Sequence, residues 1–227
     1  IRAGGGKRVA ALLGYLDGHD ADTVVLTEWR DTPSGQTFAA WAAARGMQHA
    51  AVTDGGTANG VFIASRDAFT ASSVTPEGDC PGVLALARFA DFNLLACYFP
   101  QLQAKAPFFA RCAELAIAHA GRPFLLLGDL NTGNQVADRS EAAGPYACPE
   151  AFDDLVIRCL PHDLWRRTHG AEAREWSWLS HRGNGFRIDH ALANTAFVEW
   201  GRPVCGYDHH PRQHGWTDHS ALIVRLG

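Results

Sequence analysis

An α/β fold is predicted by three features of the sequence. Apolar segments of strand length alternate with helix-like ones, several strand-like segments follow one another with no helix between, and internal repeats are absent. The uninterrupted strand succession points to hairpins and antiparallel pairing within the sheet. With 227 residues, 47% hydrophobic and 19% charged, the chain suits one compact domain with a large core. Val9 to Leu16 reads as a helix entered through glycines, and Asp22 to Glu28 as a buried strand ending in polar residues. Thr37 to Arg45 is Ala-rich and helical. Gln48 to Val52, Gly60 to Ser65, Val83 to Phe89 and Asn93 to Phe99 are predicted strands separated by turn formers. Ala104 to Ala120 is the longest predicted helix, and Pro123 to Leu127 is a strand running into Gly128-Asp129-Leu130-Asn131. A helical, loop-rich region spans Pro149 to Arg167. Three last strands are predicted over Glu175 to Leu179, Phe186 to Ala193 and His219 to Leu226.

Composition excludes several function classes. Every apolar stretch is interrupted well before the roughly eighteen residues of a membrane span, so no membrane role is expected and the protein is read as soluble and cytoplasmic. The first residues carry no apolar signal region. A net charge of −4 provides no global basic field for gathering polyanions. Local basic clusters occur at Lys7 and Arg8 and at Arg166, Arg167, Arg174, Arg182 and Arg187, and one facing a cleft could hold a phosphate. The alternative is ordinary solvated arginine. The six cysteines, at 80, 97, 112, 148, 159 and 205, show no metal-ligand spacing and are read as buried free thiols. His209, His210 and His214 lie in a loop-like segment without the flanking pattern of a zinc site. Gly4 to Arg8 lacks a P-loop ending and is read as a flexible entry to the first helix. No heptad or apolar stripe indicates an oligomer, and a monomer is favoured.

Reactive side chains gather where apolar strands end. Asp129 and Asn131, two residues apart, would share one face of a strand end. There a carboxylate can orient or deprotonate water, and a neutral amide can donate to a phosphoryl oxygen. The alternative is a plain Asx turn. Thr23 to Glu28 repeats the logic, and Glu28 is either a metal ligand or a surface acid paired with Arg30 or Arg8. Asp218 and His219 precede the apolar run from Ser220, and Asp189 follows Arg187-Ile188. An aspartate bonded to His219 would fix its tautomer and raise its basicity.

Thr27-Glu28, Cys97-Tyr98-Phe99-Pro100, Gly128-Asp129-Leu130-Asn131, Trp176-Ser177-Trp178, Arg187-Ile188-Asp189-His190 and Thr217-Asp218-His219, in this order, resemble the motif series of the endonuclease/exonuclease/phosphatase superfamily. That superfamily includes abasic-site repair nucleases, pancreatic-type deoxyribonucleases, neutral sphingomyelinases and inositol-polyphosphate phosphatases. The resemblance implies a four-layer α/β sandwich, two mixed sheets packed face to face with helices outside. It implies Glu28 as principal Mg²⁺ or Mn²⁺ ligand, with Asp218 near the metal and Asp129 either at the metal or acting on the attacking water. Asn131 would hold the phosphate, Asp189 would pair with His219, and Tyr98 would lie beside the phosphate. Gln101, Trp178, Arg182 and Arg187 are expected substrate contacts.

The sequence departs from the pattern in two respects. The family's Asn at the end of the first strand would precede Ile1, so an upstream strand ending in Asn is expected in the full-length protein. Gln101 stands where many nucleases carry Asn, and His190 where an aromatic residue is common, which bears on the substrate. The expected activity is divalent-metal-dependent hydrolysis of a phosphate ester, first of all DNA. The alternatives are a small-molecule or lipid head-group phosphodiesterase or phosphatase, and a non-catalytic binding protein on the same scaffold.

Overall fold

The computed structural model describes residues 1–78 and 81–227. In chain order these form α1 (Val9–His19), β1 (Thr23–Trp29), α2 (Pro33–Ala44), β2 (Gln48–Val52), β3 (Gly60–Ser65), β4 (Phe69–Ser73), β5 (Val83–Phe89), β6 (Asn93–Tyr98), α3 (Ala106–Ala118) and β7 (Phe124–Asp129). Then follow α4 (Pro149–Arg158), β8 (His162–Asp163), α5 (Leu164–His169), β9 (Trp178–Leu179), β10 (Gly185–Phe186), β11 (Asp189–Ala193), α6 (Thr195–Gly201), β12 (Val204–Asp208), α7 (His210–Gln213) and β13 (Ala221–Arg225).

A six-stranded sheet runs β4-β5-β6-β7-β11-β8. Its single parallel pair, β6 with β7, is the one joined through helix α3, as a parallel crossover requires. A three-stranded antiparallel sheet, β1-β3-β2, and the β12-β13 ribbon pack against it. The mixed character therefore lies in the six-stranded sheet alone. Between the layers, Val61, Ile63 and Phe69 interleave with the small Ala85, Ala87, Ala96, Ala191 and Ala193. Small side chains on one face let the sheets approach closely, and each large apolar group buried there contributes roughly 1.5–3 kcal/mol. The outer face of the six-stranded sheet, with Leu84, Leu86, Leu95, Leu126 and Leu192, is covered by α3 and α4 through Phe108, Cys112 and Phe152. The outer face of the three-stranded sheet, with Val24, Leu26 and Phe62, is covered by α1 and α2 through Val9, Leu12, Phe38 and Trp41. The order helix, sheet, sheet, helix is the expected four-layer sandwich.

Several boundaries moved for local reasons. Helix α2 begins earlier than its Ala-rich stretch because Thr32 caps it and Pro33 fills its first turn. The region Glu175 to Leu179 yields only the two-residue β9, and Phe186 to Ala193 is broken at Arg187 and Ile188 into β10 and β11. Strands β4 and β12 and helices α6 and α7 had no clear sequence signal, being short or weakly periodic. Helix α7 occupies part of the presumed His-rich loop. The glycine entry is not loose: Gly4 N donates to Glu28 O at 2.8 Å, so the segment is stitched to the end of β1. Cys97, Cys112 and Cys205 are buried free thiols, whereas Cys148 and Cys159 are only partly buried; Cys80 lies outside the described residues.

Candidate active site

The inter-sheet core ends in polar residues, and strand register brings them together. On β6, β7 and β11 the side chains facing the core are Leu94 and Ala96, Leu125 and Leu127, and Ala191 and Ala193. Alternation continues those faces to Tyr98, Asp129 and Asp189. Tyr98 lies opposite Asp129 in the parallel pair, and Asp129 opposite Asp189 in the antiparallel pair. The three therefore form one row across neighbouring strands. Gly128 is required beside them: with φ at +149°, a Cβ there would sit 2.0 Å from Cys97 O on β6.

Glu28 reaches the site by a different device. Plain alternation with Val24 and Leu26 would turn it toward α1 and α2. Instead the β1–β3 register shifts between Thr27 and Trp29, and Glu28 adopts φ +55°. This bulge puts Trp29 on the helix-covered face and releases the carboxylate from it. A strained conformation at an acidic residue of this kind is held only by surrounding contacts. Here Ala3 N donates to Glu28 Oε2 at 2.7 Å, and Gly4 N supports the backbone. No side-chain cation pairs with Glu28 among the described residues, so neither Arg30 nor Arg8 neutralises it.

His219 completes the row. Its Nδ1 lies 2.8 Å from Asp189 Oδ2, and its backbone forms an isolated bridge with Trp178. Burial disfavours the imidazolium, but the charge of Asp189, its hydrogen bond, and the nearby Asp129 and Asp218 prevail and push the pKa up to about 9. Asp189 shows the complementary balance. Burial raises it, yet His219 and a hydrogen bond from Ser177 hold it below the usual carboxylate range. Asp129 is pushed up to about 7, first by burial and then by the charge of Asp189, with His219 and the Asn131 backbone N–H acting against the rise. The two facing carboxylates are thus held apart in acidity by their surroundings. Tyr98 is pushed up to about 12, by burial and then by Glu28, and stays a neutral hydroxyl at neutral pH.

Four carboxylates converge on the mouth of this row. The nitrogen of Ile1, bonded to Thr27 O at 2.9 Å, lies within electrostatic reach of Glu28, Asp218, Asp189 and Asp129. Ligand atoms of Asp129, Asp189 and His219 lie within 4.8 Å of one another, close enough for an acidic/His cluster to hold a metal ion. Chemistry favours a different subset for a hard cation. His219 is committed to Asp189, while among the described residues Asp218 Oδ1 is buried without a hydrogen-bond partner and its Oδ2 meets Arg2 at 3.7 Å. An orphaned buried carboxylate oxygen and a Glu28 without a side-chain cation are what a hard divalent cation would satisfy.

Asn131 reaches the site otherwise than expected. Strand β7 ends at Asp129, so a shared strand face does not apply; Asn131 turns back at φ +49°. Its N–H donates to Asp129 Oδ1 at 2.8 Å, and its Nδ2 donates to Phe99 O at 2.8 Å. One amide hydrogen is left for a ligand. Arg187 is the clear correction. It is buried, with Nε 2.6 Å from Asp138 Oδ1 and its Nη groups on both oxygens of Asp163, and it stacks over Trp165 at 5.0 Å. It holds β8, β11 and the loop after β7 together, and at 1% exposure it is sealed from a substrate. Arg182 is exposed in the turn between β9 and β10. Gln101 is exposed just past β6, and Trp178 is half-buried against Phe186 and the His219 backbone. His190 points to the opposite face of the sheet, where its Nε2 meets Thr132 O at 2.8 Å and its ring packs on Phe152; it supports the Asn131 turn.

Two residues escaped sequence reasoning. Buried Lys105 donates from Nζ to Asn131 O, and burial lowers it to about 8. Ser177 Oγ accepts from Ile188 N and Asp189 N at 3.0 and 3.2 Å, and Ser177 O accepts from Ser220 N at 2.8 Å. It therefore ties the strand of Asp189 to the segment of His219. Its position inside Trp176-Ser177-Trp178 was the available signal.

The chain matches the sequence profile of the Endonuclease/Exonuclease/phosphatase family over residues 3–219. No curated protein matches it by sequence. Among solved structures, an AP endonuclease from Archaeoglobus fulgidus superposes with a TM-score of 0.80 at 20% identity, covering 96% of this chain and 93% of that one. A 3′-5′ exonuclease from Neisseria meningitidis gives 0.82 at 22% identity, covering 96% and 94%. A 3′ phosphatase from Neisseria, bound to a product DNA hairpin, gives 0.80 at 19% identity, covering 99% and 96%. At these identities the likeness speaks for the fold.

Proposed function

Since the chain belongs to the endonuclease/exonuclease/phosphatase family, we propose that it is a divalent-metal-dependent hydrolase that cuts phosphodiesters in DNA. The observation that carries this reading is the row Tyr98, Asp129, Asp189 with His219 bonded to Asp189 at 2.8 Å. The structural likeness to a 3′ phosphatase bound to a product DNA hairpin supports the choice of substrate.

Glu28 and Asp218 would hold Mg²⁺ or Mn²⁺, which when bound would supply Lewis-acid polarisation of the phosphoryl group. Everything else follows from the chain. Asp129, with a pKa near 7, takes a proton at neutral pH from the water that attacks phosphorus, an effect worth about 10²–10⁴-fold; the P–O bond to the leaving alkoxide breaks and that oxygen is protonated from solvent. The imidazolium of His219, fixed by Asp189, donates from its free Nε2 to phosphoryl oxygens as their charge grows. The remaining amide hydrogen of Asn131 fixes the phosphate's orientation, and Tyr98 offers a neutral hydroxyl beside it. Gln101 and Arg182, both exposed, and Trp178, bridged to the His219 backbone, are assigned to substrate contact on this reading.

The test is hydrolysis of plasmid, abasic oligonucleotide and a chromogenic phosphodiester, with Mg²⁺ and with EDTA. Cleavage of DNA that EDTA stops and Mg²⁺ restores is expected, and Glu28→Gln should raise the Mg²⁺ concentration needed for half-maximal rate at least tenfold. Cleavage indifferent to EDTA, or a Glu28→Gln enzyme with unchanged metal demand, refutes the assignment.

A further inference from the structure

Arg30 carries a positive charge at the edge of this site with no carboxylate to match it. Its stem lies along the backbone of Gly4, where a Cβ would come to 3.2 Å from Arg30 Cβ. Its Nε donates to Asn59 Oδ1 at 2.7 Å, and Asn59 Nδ2 donates in turn to the Tyr98 hydroxyl at 3.1 Å. The guanidinium is near enough to pull against the rise in the Tyr98 pKa. Some arginines meet acids, such as Arg187 with Asp138 and Asp163, Arg45 with Asp17, and Arg66 with Asp20 and Asp22, and others such as Arg8 and Arg122 spend their Nη groups on backbone carbonyls. Arg30 instead has a neutral amide for its partner, and among the described residues no ion pair or further hydrogen bond engages its Nη groups.

A guanidinium anchored through Nε keeps its plane fixed and presents two parallel Nη donors, the geometry that grips a phosphate or carboxylate in two places. The neutral partner leaves the whole charge for that anion. The row of Tyr98, Asp129 and Asp189, with Asn131 and His219, surrounds the scissile position, and Arg30 joins that row at its Tyr98 end through Asn59. We propose that Arg30, braced by Asn59, is a second phosphate subsite, which holds the phosphate next to the one being cut. The site is then built for a chain of phosphodiesters, such as a nucleic-acid strand, and an isolated phosphate ester fills only half of it. This rests on the phosphoesterase reading above. It also answers the absence of a global basic field, since a net charge of −4 leaves strand capture to individually placed cations.

The experiment separates binding from turnover. In EDTA, anisotropy of a fluorescein-labelled single-stranded oligonucleotide is titrated against wild type, Arg30→Met, Arg30→Lys and Asn59→Ala, with melting curves to check folding. Arg30→Met should weaken binding about tenfold and flatten the salt slope by about 0.7, the loss of one phosphate contact on a single strand. Arg30→Lys should recover much of that slope. With Mg²⁺, the kcat/KM ratio of oligonucleotide to bis(4-nitrophenyl) phosphate should fall at least tenfold in Arg30→Met. Unchanged affinity and slope overturn the subsite, as does an equal loss on both substrates, which would put Arg30 at the scissile phosphate. Arg30-dependent binding without hydrolysis of either substrate upholds the subsite and overturns the enzymatic reading; hydrolysis of both without Arg30 dependence does the reverse.

Discussion

Asp189→Asn tests the coupling between the buried aspartate and His219 with little change in shape. His219 lies at about 9 against an ordinary value of 6.5, a difference of roughly 3 kcal/mol at 1.36 kcal/mol per unit. Asp189 is the foremost of the groups that oppose burial, through charge and through the 2.8 Å hydrogen bond. Replacing it with Asn leaves burial opposed only by the weaker influences of Asp129 and Asp218. At pH 7.5 the imidazole should then be mostly neutral, and turnover should fall about 10²-fold, the equivalent of that energy. The sign of the pH effect is fixed. On the proposed mechanism turnover needs Asp129 ionised and His219 protonated, so wild-type kcat/KM should rise through about pH 7 and decline through about pH 9. In the variant the alkaline decline should move down by one unit or more. Stability follows the same linkage: a folded pKa raised above 6.5 contributes stability that is complete below pH 6.5 and lost as pH rises through about 9. The variant should therefore melt lower than wild type at pH 6, with the gap closing toward pH 10. The assay is kcat/KM on an oligonucleotide with saturating Mg²⁺ from pH 5.5 to 10, paired with melting curves. An alkaline limb that stays near pH 9 in Asp189→Asn would refute the coupling.

Two further predictions concern the buried acids. Asp129→Asn should cut turnover about 10²–10⁴-fold while raising the melting temperature at pH 8. The wild-type carboxyl has a folded value near 7, so its ionisation opposes folding progressively as pH rises from about 4 to 7; a melting temperature that falls in the variant contradicts the burial argument. Asp138→Asn should cost about 3–5 kcal/mol at pH 7, because it leaves the buried Arg187 with one acid fewer. Asp138 is held below its ordinary 3.8, so its contribution is complete above about pH 4 and disappears as pH falls through the lowered value. The difference in melting temperature between wild type and variant should thus narrow below pH 4, as calorimetry can read.

The sequence by itself determined the layered architecture and most of the acids. Unbroken apolar strand runs such as Leu125 to Leu127 and Ala191 to Ala193 place successive side chains on two buried faces, so Asp129 and Asp189, two residues on from Leu127 and before Ala191, share the inter-sheet face once the strands pair. The pairing of Asp189 with His219 was legible too, because each closes or opens an apolar run. What only the tertiary structure decided were the departures from alternation and the fate of charges. The bulge at Glu28 depends on how β1 meets β3 and on where Trp29 can be buried. Asn131 arrives through a left-handed turn that Lys105 and Phe99 hold from distant elements. Two arginines, alike in sequence, were sorted by their surroundings: Arg187 is sunk between Asp138 and Asp163, and Arg30 is left with a neutral amide. A side chain's local pattern fixes which face it takes, but whether its charge is already matched depends on partners tens of residues away, and only folding brings those into range.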